Sequence, residues 1–209
     1  MKVNGAAESL DEFDRERRLS LFVYQKSIPK IGPFSLRPYN NTADVKLIHA
    51  WVNAEHAKFW MLQNTSVEQV ATEYEKILAT QNTQVYIGCF NQAPVFLFEF
   101  YNAEHDDLAE YYDAQQGDYG MHILVAPTQT PLPKFTWHVF KFILEFIFSH
   151  AQVQRVVVEP DADNSKIHAL NLKAGFRYQG VIEMPTKRAR LAFCTRDDFR
   201  LAVAEEAES

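Results

Sequence analysis

The chain of 209 residues is poor in cysteine, has no long apolar run and carries no excess of positive charge. Each shortage closes off a class of function. Its two cysteines, Cys89 and Cys194, sit in apolar, strand-like runs, so each is read as a small buried hydrophobe rather than half of a disulfide. No stretch approaches the roughly 20 apolar residues of a membrane helix, and Met1 to Ser9 lacks the apolar core of a signal peptide. A formal charge of −6 gives no general attraction for nucleic acid, although it is compatible with a cationic substrate such as an amine. The seven histidines and two cysteines show no metal-ligand spacing, and no Ser-His-Asp order stands out. Internal repeats and Gly/Ser-rich linkers are also missing. The expectation is a soluble cytoplasmic protein without metal, membrane or nucleic-acid partner.

What is present is aromatic: 16 Phe and 9 Tyr in a chain that is 47% hydrophobic. That composition suits a globular protein with an aromatic-rich core or pocket, and the length suits one domain. Residues 1–14 read as a mobile start, 15–199 as the domain and 200–209 as a polar tail. Strands are expected at Leu19 to Tyr24, Phe34 to Arg37, Val85 to Phe90, Pro94 to Tyr101 and Met121 to Ala126. Later ones are expected at Val153 to Glu159, Phe176 to Ile182 and Ala189 to Thr195. Helices are expected from a cap at Thr42 or Asp44 to Trp51, over Ser66 to Ala79, over Phe135 to Phe148 and over Ser165 to Ala174. Phe135 to Phe148 is apolar nearly all round, which predicts burial on much of its surface. The fold class is therefore α/β, a mixed sheet with helices on both faces.

The densest signal is Glu159-Pro160-Asp161-Ala162-Asp163-Asn164 between a β-branched run and a helix stopped at Gly175. A strand ending in carboxylates places polar groups at the usual ligand position of α/β sheets. With Lys173-Ala174-Gly175-Phe176 this block resembles the late motif of the GNAT superfamily of acyl-CoA-dependent N-acyltransferases. Phe98-Glu99-Phe100-Tyr101, Asp106, Tyr112 and Gly117-Asp118-Tyr119-Gly120-Met121-His122-Ile123-Leu124 are similar to its siderophore-biosynthesis branch. That branch includes hydroxylysine acetyltransferases and hydroxydiamine acyltransferases. The resemblance covers Phe34 to Phe199. It implies a mostly antiparallel sheet with a splayed pair of strands for acyl-CoA.

The resemblance also implies a site. The donor's amide-bearing arm would pair with the backbone of Ile123, Leu124 and Val125 by strand addition, and a backbone N–H would polarise the thioester carbonyl. The family's glycine-rich diphosphate loop is replaced here by Thr128-Gln129-Thr130-Pro131-Leu132-Pro133-Lys134-Phe135-Thr136, whose prolines remove N–H donors. Gln129, Lys134 and the N–H groups of Phe135 and Thr136 are the expected substitutes, with Asn164 and Asn171 also on the donor side. His122, with an unperturbed pKa of roughly 6.5, is the candidate base. Glu159 or Asp161 is its candidate partner, provided the strand continues far enough to put both on one side. Asp163 with Asn164 has the plainer reading of a helix cap. Where many relatives carry an acidic tyrosine, this chain has Asn171. Trp51, Trp60, Tyr101 and Tyr112 are candidates for the acceptor wall, with Glu99, Asp106 and Asp107 for a distal ammonium. Lys187, Arg188 and Arg190 are available for a succinyl tail.

The expected activity is transfer of acetyl or succinyl from acyl-CoA, as co-substrate, to hydroxyputrescine, hydroxycadaverine or hydroxylysine, giving a hydroxamate. Acetylation of another amine (an aminoglycoside or a protein terminus) and a non-catalytic acyl-CoA-binding module are the alternatives. A homodimer is compatible with either.

Overall fold

The computed structural model describes residues 22–128 and 132–207. The strands are β1 (Tyr24–Ile28), β2 (Gly32–Pro38), β3 (Thr83–Phe90), β4 (Ala93–Asn102), β5 (Asp118–Val125), β6 (Arg155–Val158), β7 (Arg177–Glu183) and β8 (Arg188–Thr195). They form one sheet in the order β1-β2-β3-β4-β5-β6-β8-β7. Every ladder is antiparallel except β5–β6. The α-helices among the described residues are α1 (Asn41–Val52), α2 (Val67–Ala79), α3 (Phe135–Ser149), α4 (Ser165–Lys173) and α5 (Arg196–Ala207).

Strand alternation divides β4 and β5 into two chemically different faces. Phe96, Phe98, Phe100 and Met121 point to one side and join Phe140, Phe142, Ile143 and Phe146 of α3 in an aromatic core. This explains why α3 is apolar nearly all round: nine of its residues are buried. Leu97 and Leu124 point to the other side, where Ile48, Trp51 and Val52 of α1 and Val70 and Tyr74 of α2 cover them. On this second face the next residues along β4 and β5 are the polar pair Glu99 and His122, partners in the ladder.

The β5–β6 ladder consists of Asp118↔Arg155, Tyr119↔Val156 and Gly120↔Val157 and then stops. Beyond it β5 runs on to Val125 while β6 ends at Val158, so the two strands part and leave a fork. β6 cannot extend its ladder through Pro160, which lacks an N–H. This is the splayed pair that the family resemblance implied.

Several boundaries differ from expectation. The first strand begins at Tyr24, where the sequence reading ended it, because the Pro29–Ile31 turn fixes the pairing Ile28↔Gly32 and aligns Tyr24–Ile28 with β2. Leu19–Leu21 and the expected mobile start at 1–14 lie outside the described residues. The cap of α1 is Asn40, whose side chain accepts the Ala43 N–H, because Asp44 is engaged by Arg37 through two 2.7 Å contacts. Helix α2 falls within its expected span, and Ser66 and Gln69 close a reciprocal capping box at its start. The turn between β3 and β4 narrows to Asn91-Gln92, both left-handed. The expected boundary at residue 200 falls inside α5, which docks through Phe199 stacked on Phe148.

Candidate active site

The polar end of the α1/α2 face carries a closed set of contacts. His122 Nδ1 lies 2.9 Å from Glu99 Oε2, and His122 Nε2 lies 3.3 Å from Glu159 Oε1. Lys187 Nζ donates to the same Glu159 oxygen at 3.0 Å. Tyr74 Oη donates to Glu99 Oε1 at 2.8 Å, and Tyr101 Oη donates to Glu159 Oε2 at 3.3 Å. Both carboxylates are only 6% exposed. Buried carboxylates persist in the ionised form only when donors surround them, and here each has a cation and a phenol.

Local structure explains the assembly. Ladder pairing sets Glu99 beside His122. Two pairs further on, and so on the same face, Tyr101 faces Gly120, and the ring lies across that glycine: a Cβ there would sit 2.0 Å from Tyr101 Cζ. The missing side chain lets Tyr101 reach over β5 to Glu159 and cover His122, with ring centroids 5.1 Å apart. Glu159 arrives from the end of β6, across the fork. Trp60, from the short 3-10 helix Glu55–Trp60, meets the imidazole edge-on at 6.2 Å.

Charge follows from this packing. Burial disfavours the His122 cation, but hydrogen bonds and attraction from Glu159 and Glu99 overcome it and raise the pKa to about 10. Burial likewise pushes Glu159 up, yet His122 and Lys187 bring it down to about 2. The expectation of a neutral histidine near its ordinary pKa is therefore corrected. In the free protein at neutral pH, two carboxylates stand against an imidazolium and an ammonium. Since 43% of the His122 side chain is open to water, that edge is where a second molecule can meet the array.

Asp161 does not join the cluster. β6 ends before it, so alternation does not carry that far, and its Oδ1 accepts the Asp163 N–H at 2.9 Å. Asn164 caps α4 through the Ile167 N–H. Asn171 is turned inward at 1% exposure and donates to Tyr178 Oη at 3.0 Å, while its Oδ1 has no partner. Trp51 belongs to the α1/α2 core rather than to an open wall, because it lies on the buried side of α1. Asp106 caps the short helix Asp107–Tyr111 through the Leu108 N–H; burial raises its carboxyl by more than the Leu108 N–H and the His122 charge lower it. Glu99, expected to hold a distal ammonium, instead holds the imidazole. Tyr74 was missed as a site residue, and Lys187 was named only as a cation available for a succinyl tail. Lys187 sits in a turn with no motif, and Tyr74 reads as one more apolar position of α2.

On the donor side, Ile123, Leu124 and Val125 form the free edge of the fork. The Ala126 N–H bonds Val95 on β4, so alternation turns the backbone groups of Ile123 and Val125 the other way. There the Val125 carbonyl meets His56 Nε2 at 2.8 Å. Gln129 lies outside the described residues. The Phe135 N–H is taken by the Leu132 carbonyl, which removes it as an anion donor, and its ring packs against Phe34 and Phe90. Lys134 is left-handed at the start of α3 and exposed, as is Thr136 in its first turn.

A family profile described as an acetyltransferase (GNAT) domain matches residues 40–184. An N-hydroxyputrescine acetyltransferase of Acinetobacter baumannii is 29% identical over 167 residues, covering 79% of this chain and 79% of that protein. The N(6)-hydroxylysine O-acetyltransferase of Escherichia coli is 27% identical over 85% of this chain, which spans 57% of that longer protein. Among solved structures, an uncharacterised protein of Bacillus halodurans superposes with a TM-score of 0.82 at 23% identity, covering 88% of this chain and 96% of that one. The aminoglycoside acetyltransferase AAC(6')-Ib, solved with acetyl-CoA and an aminoglycoside, gives 0.71 at 22% identity, covering 80% of this chain and 96% of that one. The matched profile, the fork and the order of elements lead to one conclusion: this chain is an acyltransferase and belongs to the GNAT acetyltransferases.

Proposed function

We propose that the chain transfers an acetyl group from acetyl-CoA to the nitrogen of an N-hydroxylated aliphatic amine, forming a hydroxamate of the kind built into iron-chelating siderophores. The observation that carries this reading is the charge balance of the Glu99–His122–Glu159–Lys187 array. Within the array two anions already face two cations, so neither carboxylate is left without a cation for an incoming ammonium group to pair with. A primary alkylamine is almost wholly protonated at neutral pH, whereas its N-hydroxy derivative is largely the free base. The site is matched to the second. The names of the Acinetobacter and Escherichia relatives both carry a hydroxylated amine as acceptor, the Escherichia name placing the acetyl group on oxygen.

The reaction then runs by direct attack. The donor's arm lies along the free edge of β5, and an N–H turned into the fork polarises the thioester carbonyl. The acceptor nitrogen meets the exposed edge of His122, forms the new N–C bond, and the C–S bond breaks. Acylation makes the nitrogen's proton strongly acidic, and the array takes it up. His122 starts as an imidazolium with a proton on both nitrogens, so it takes the acceptor's proton only as it gives one to the departing thiolate. Orientation and carbonyl polarisation supply the rate enhancement, with no covalent enzyme intermediate.

Acetyl is favoured over succinyl because the cations available for a second carboxylate are engaged. Lys187 binds Glu159, Arg188 lies 3.5 Å from Glu183, and Arg190 stacks on Tyr178 at 4.3 Å. The test is thiol release from acetyl-CoA and succinyl-CoA with putrescine, cadaverine, lysine and their N-hydroxy derivatives at pH 7. The hydroxylated acceptor should exceed its parent in kcat/KM by at least roughly tenfold, about 1.4 kcal/mol. Equal rates would overturn the hydroxylamine reading in favour of a general amine acetyltransferase.

A further inference from the structure

We propose that Lys187 is a positioning residue of this acyl-transfer site: its ammonium pins Glu159 against His122 and supplies the charge that makes the array neutral. The inference rests on the function proposed above. Four observations support it. Lys187 Nζ and His122 Nε2 share one oxygen of Glu159, at 3.0 and 3.3 Å. The other oxygen takes the Tyr101 hydroxyl. The Lys187 side chain is only 16% exposed, although it comes from a turn between two exposed strand ends. That turn is held by the Met184 N–H on the Lys187 carbonyl at 2.9 Å, so the lysine's backbone is fixed before its side chain reaches inward.

The two carboxylates are thereby made unequal. Glu159 receives two cations and a phenol, whereas Glu99 receives the imidazolium and a phenol. Glu159 is thus the fixed anion that holds the imidazole's outer nitrogen toward the fork, and Glu99 holds the inner one. Without the ammonium, two carboxylates would face a single imidazolium. Asp106 adds a nearby negative field that both His122 and Glu159 feel, which would deepen the imbalance. The site would then hold an acceptor as its cation, in which form the nitrogen cannot attack.

The test uses Lys187→Met, which removes donor and charge, Lys187→Gln, which keeps a donor, and Lys187→Arg, which keeps both. Two readouts apply: kcat/KM with the hydroxylated acceptor, and the acid titration of the Glu159 carboxyl followed by 13C NMR. Expected are a drop of about 10- to 100-fold for the Met and Gln variants and retention within about threefold for Arg. The Glu159 midpoint should rise by at least about one pH unit in the two neutral variants. In a Glu159→Gln background the Lys187→Met cost should shrink to about twofold, because the two residues act through one contact. If Lys187→Gln turns over like the wild type and leaves the Glu159 midpoint in place, Lys187 only anchors its turn and the proposal fails. A wild-type protein inactive with every acyl-CoA and hydroxyamine would overturn the function instead, while the titration would still report on the lysine.

Discussion

The two halves of the site are built from different materials. The acceptor half is a cluster of side chains, Glu99, His122, Glu159, Lys187, Tyr74 and Tyr101, each held by named contacts. The donor half is an edge of backbone, the stretch of β5 past the end of its ladder with β6. Side-chain recognition is sensitive to substitution at one or two positions, whereas strand addition tolerates almost any residue whose backbone keeps its shape. Mutations should therefore separate the halves cleanly: changes in the cluster lower turnover, and changes near the fork alter donor affinity.

The strongest way to sharpen this contrast is His122→Ala. It should reduce kcat by about 10²- to 10⁴-fold while the donor KM changes by less than about twofold. A comparable rise in donor KM would break the separation. Next comes Gly120→Ala, where the added methyl collides with Tyr101. Overpacking of this kind costs about 1–3 kcal/mol, readable as a lower urea midpoint, and activity should fall as Tyr101 is driven off Glu159. Unchanged stability would mean that Tyr101 has another place to go.

A smaller effect is expected from pH on folding stability. His122 is raised from 6.5 to about 10, so its contribution is complete below pH 6.5 and is lost as pH climbs through 10. Glu159 is lowered from 4.5 to about 2, so its contribution is complete above pH 4.5 and is lost as pH falls through 2. Both are present between about pH 4.5 and 6.5. Solvent at the exposed edge of His122 reduces the alkaline loss below what the shift alone implies. Thermal melts should show a decline toward pH 10 that His122→Ala removes. The smallest expected effect is at Lys134. Lys134→Ala should raise the donor KM about three- to fivefold with kcat unchanged, and the difference should shrink in high salt. A donor KM equal to wild type would remove Lys134 from the donor half.

How much of this was legible in the sequence follows the same division. Glu159 could be named because a β-branched strand, a proline-bearing turn and a glycine-stopped helix lie in order within a short stretch, whereas His122 and the fork were named only through the family resemblance. The helix α2 followed from its apolar 3-4 spacing and acidic early half, and the β3–β4 hairpin from the short polar stretch Asn91-Gln92-Ala93 between two strands. Lys187 was not legible, because its partner is 28 residues away and nothing local distinguishes it from Arg188. Glu99 was seen but given the wrong role: its neighbour across the ladder decides its chemistry, and the pairing register is not written in either strand alone. The pKa of His122 was misjudged for the same reason. Trp51 was offered as a substrate wall because aromatic residues suit both pockets and cores, and only the orientation of α1 separates the two.

The fork turns β5 into a ruler that exchange of amide hydrogens can read. His122 and Leu124 face β4 and sit in continuous ladder pairing, so their amides should be slow to exchange. The amides of Ile123 and Val125 face the gap and should exchange fast, giving an every-other-residue pattern along a single strand. An arm laid into the gap would protect the fast members and leave the slow ones unaltered. The Val125 carbonyl is already held by His56, so the imidazole resonances of His56 should shift at the same titration point as those amides.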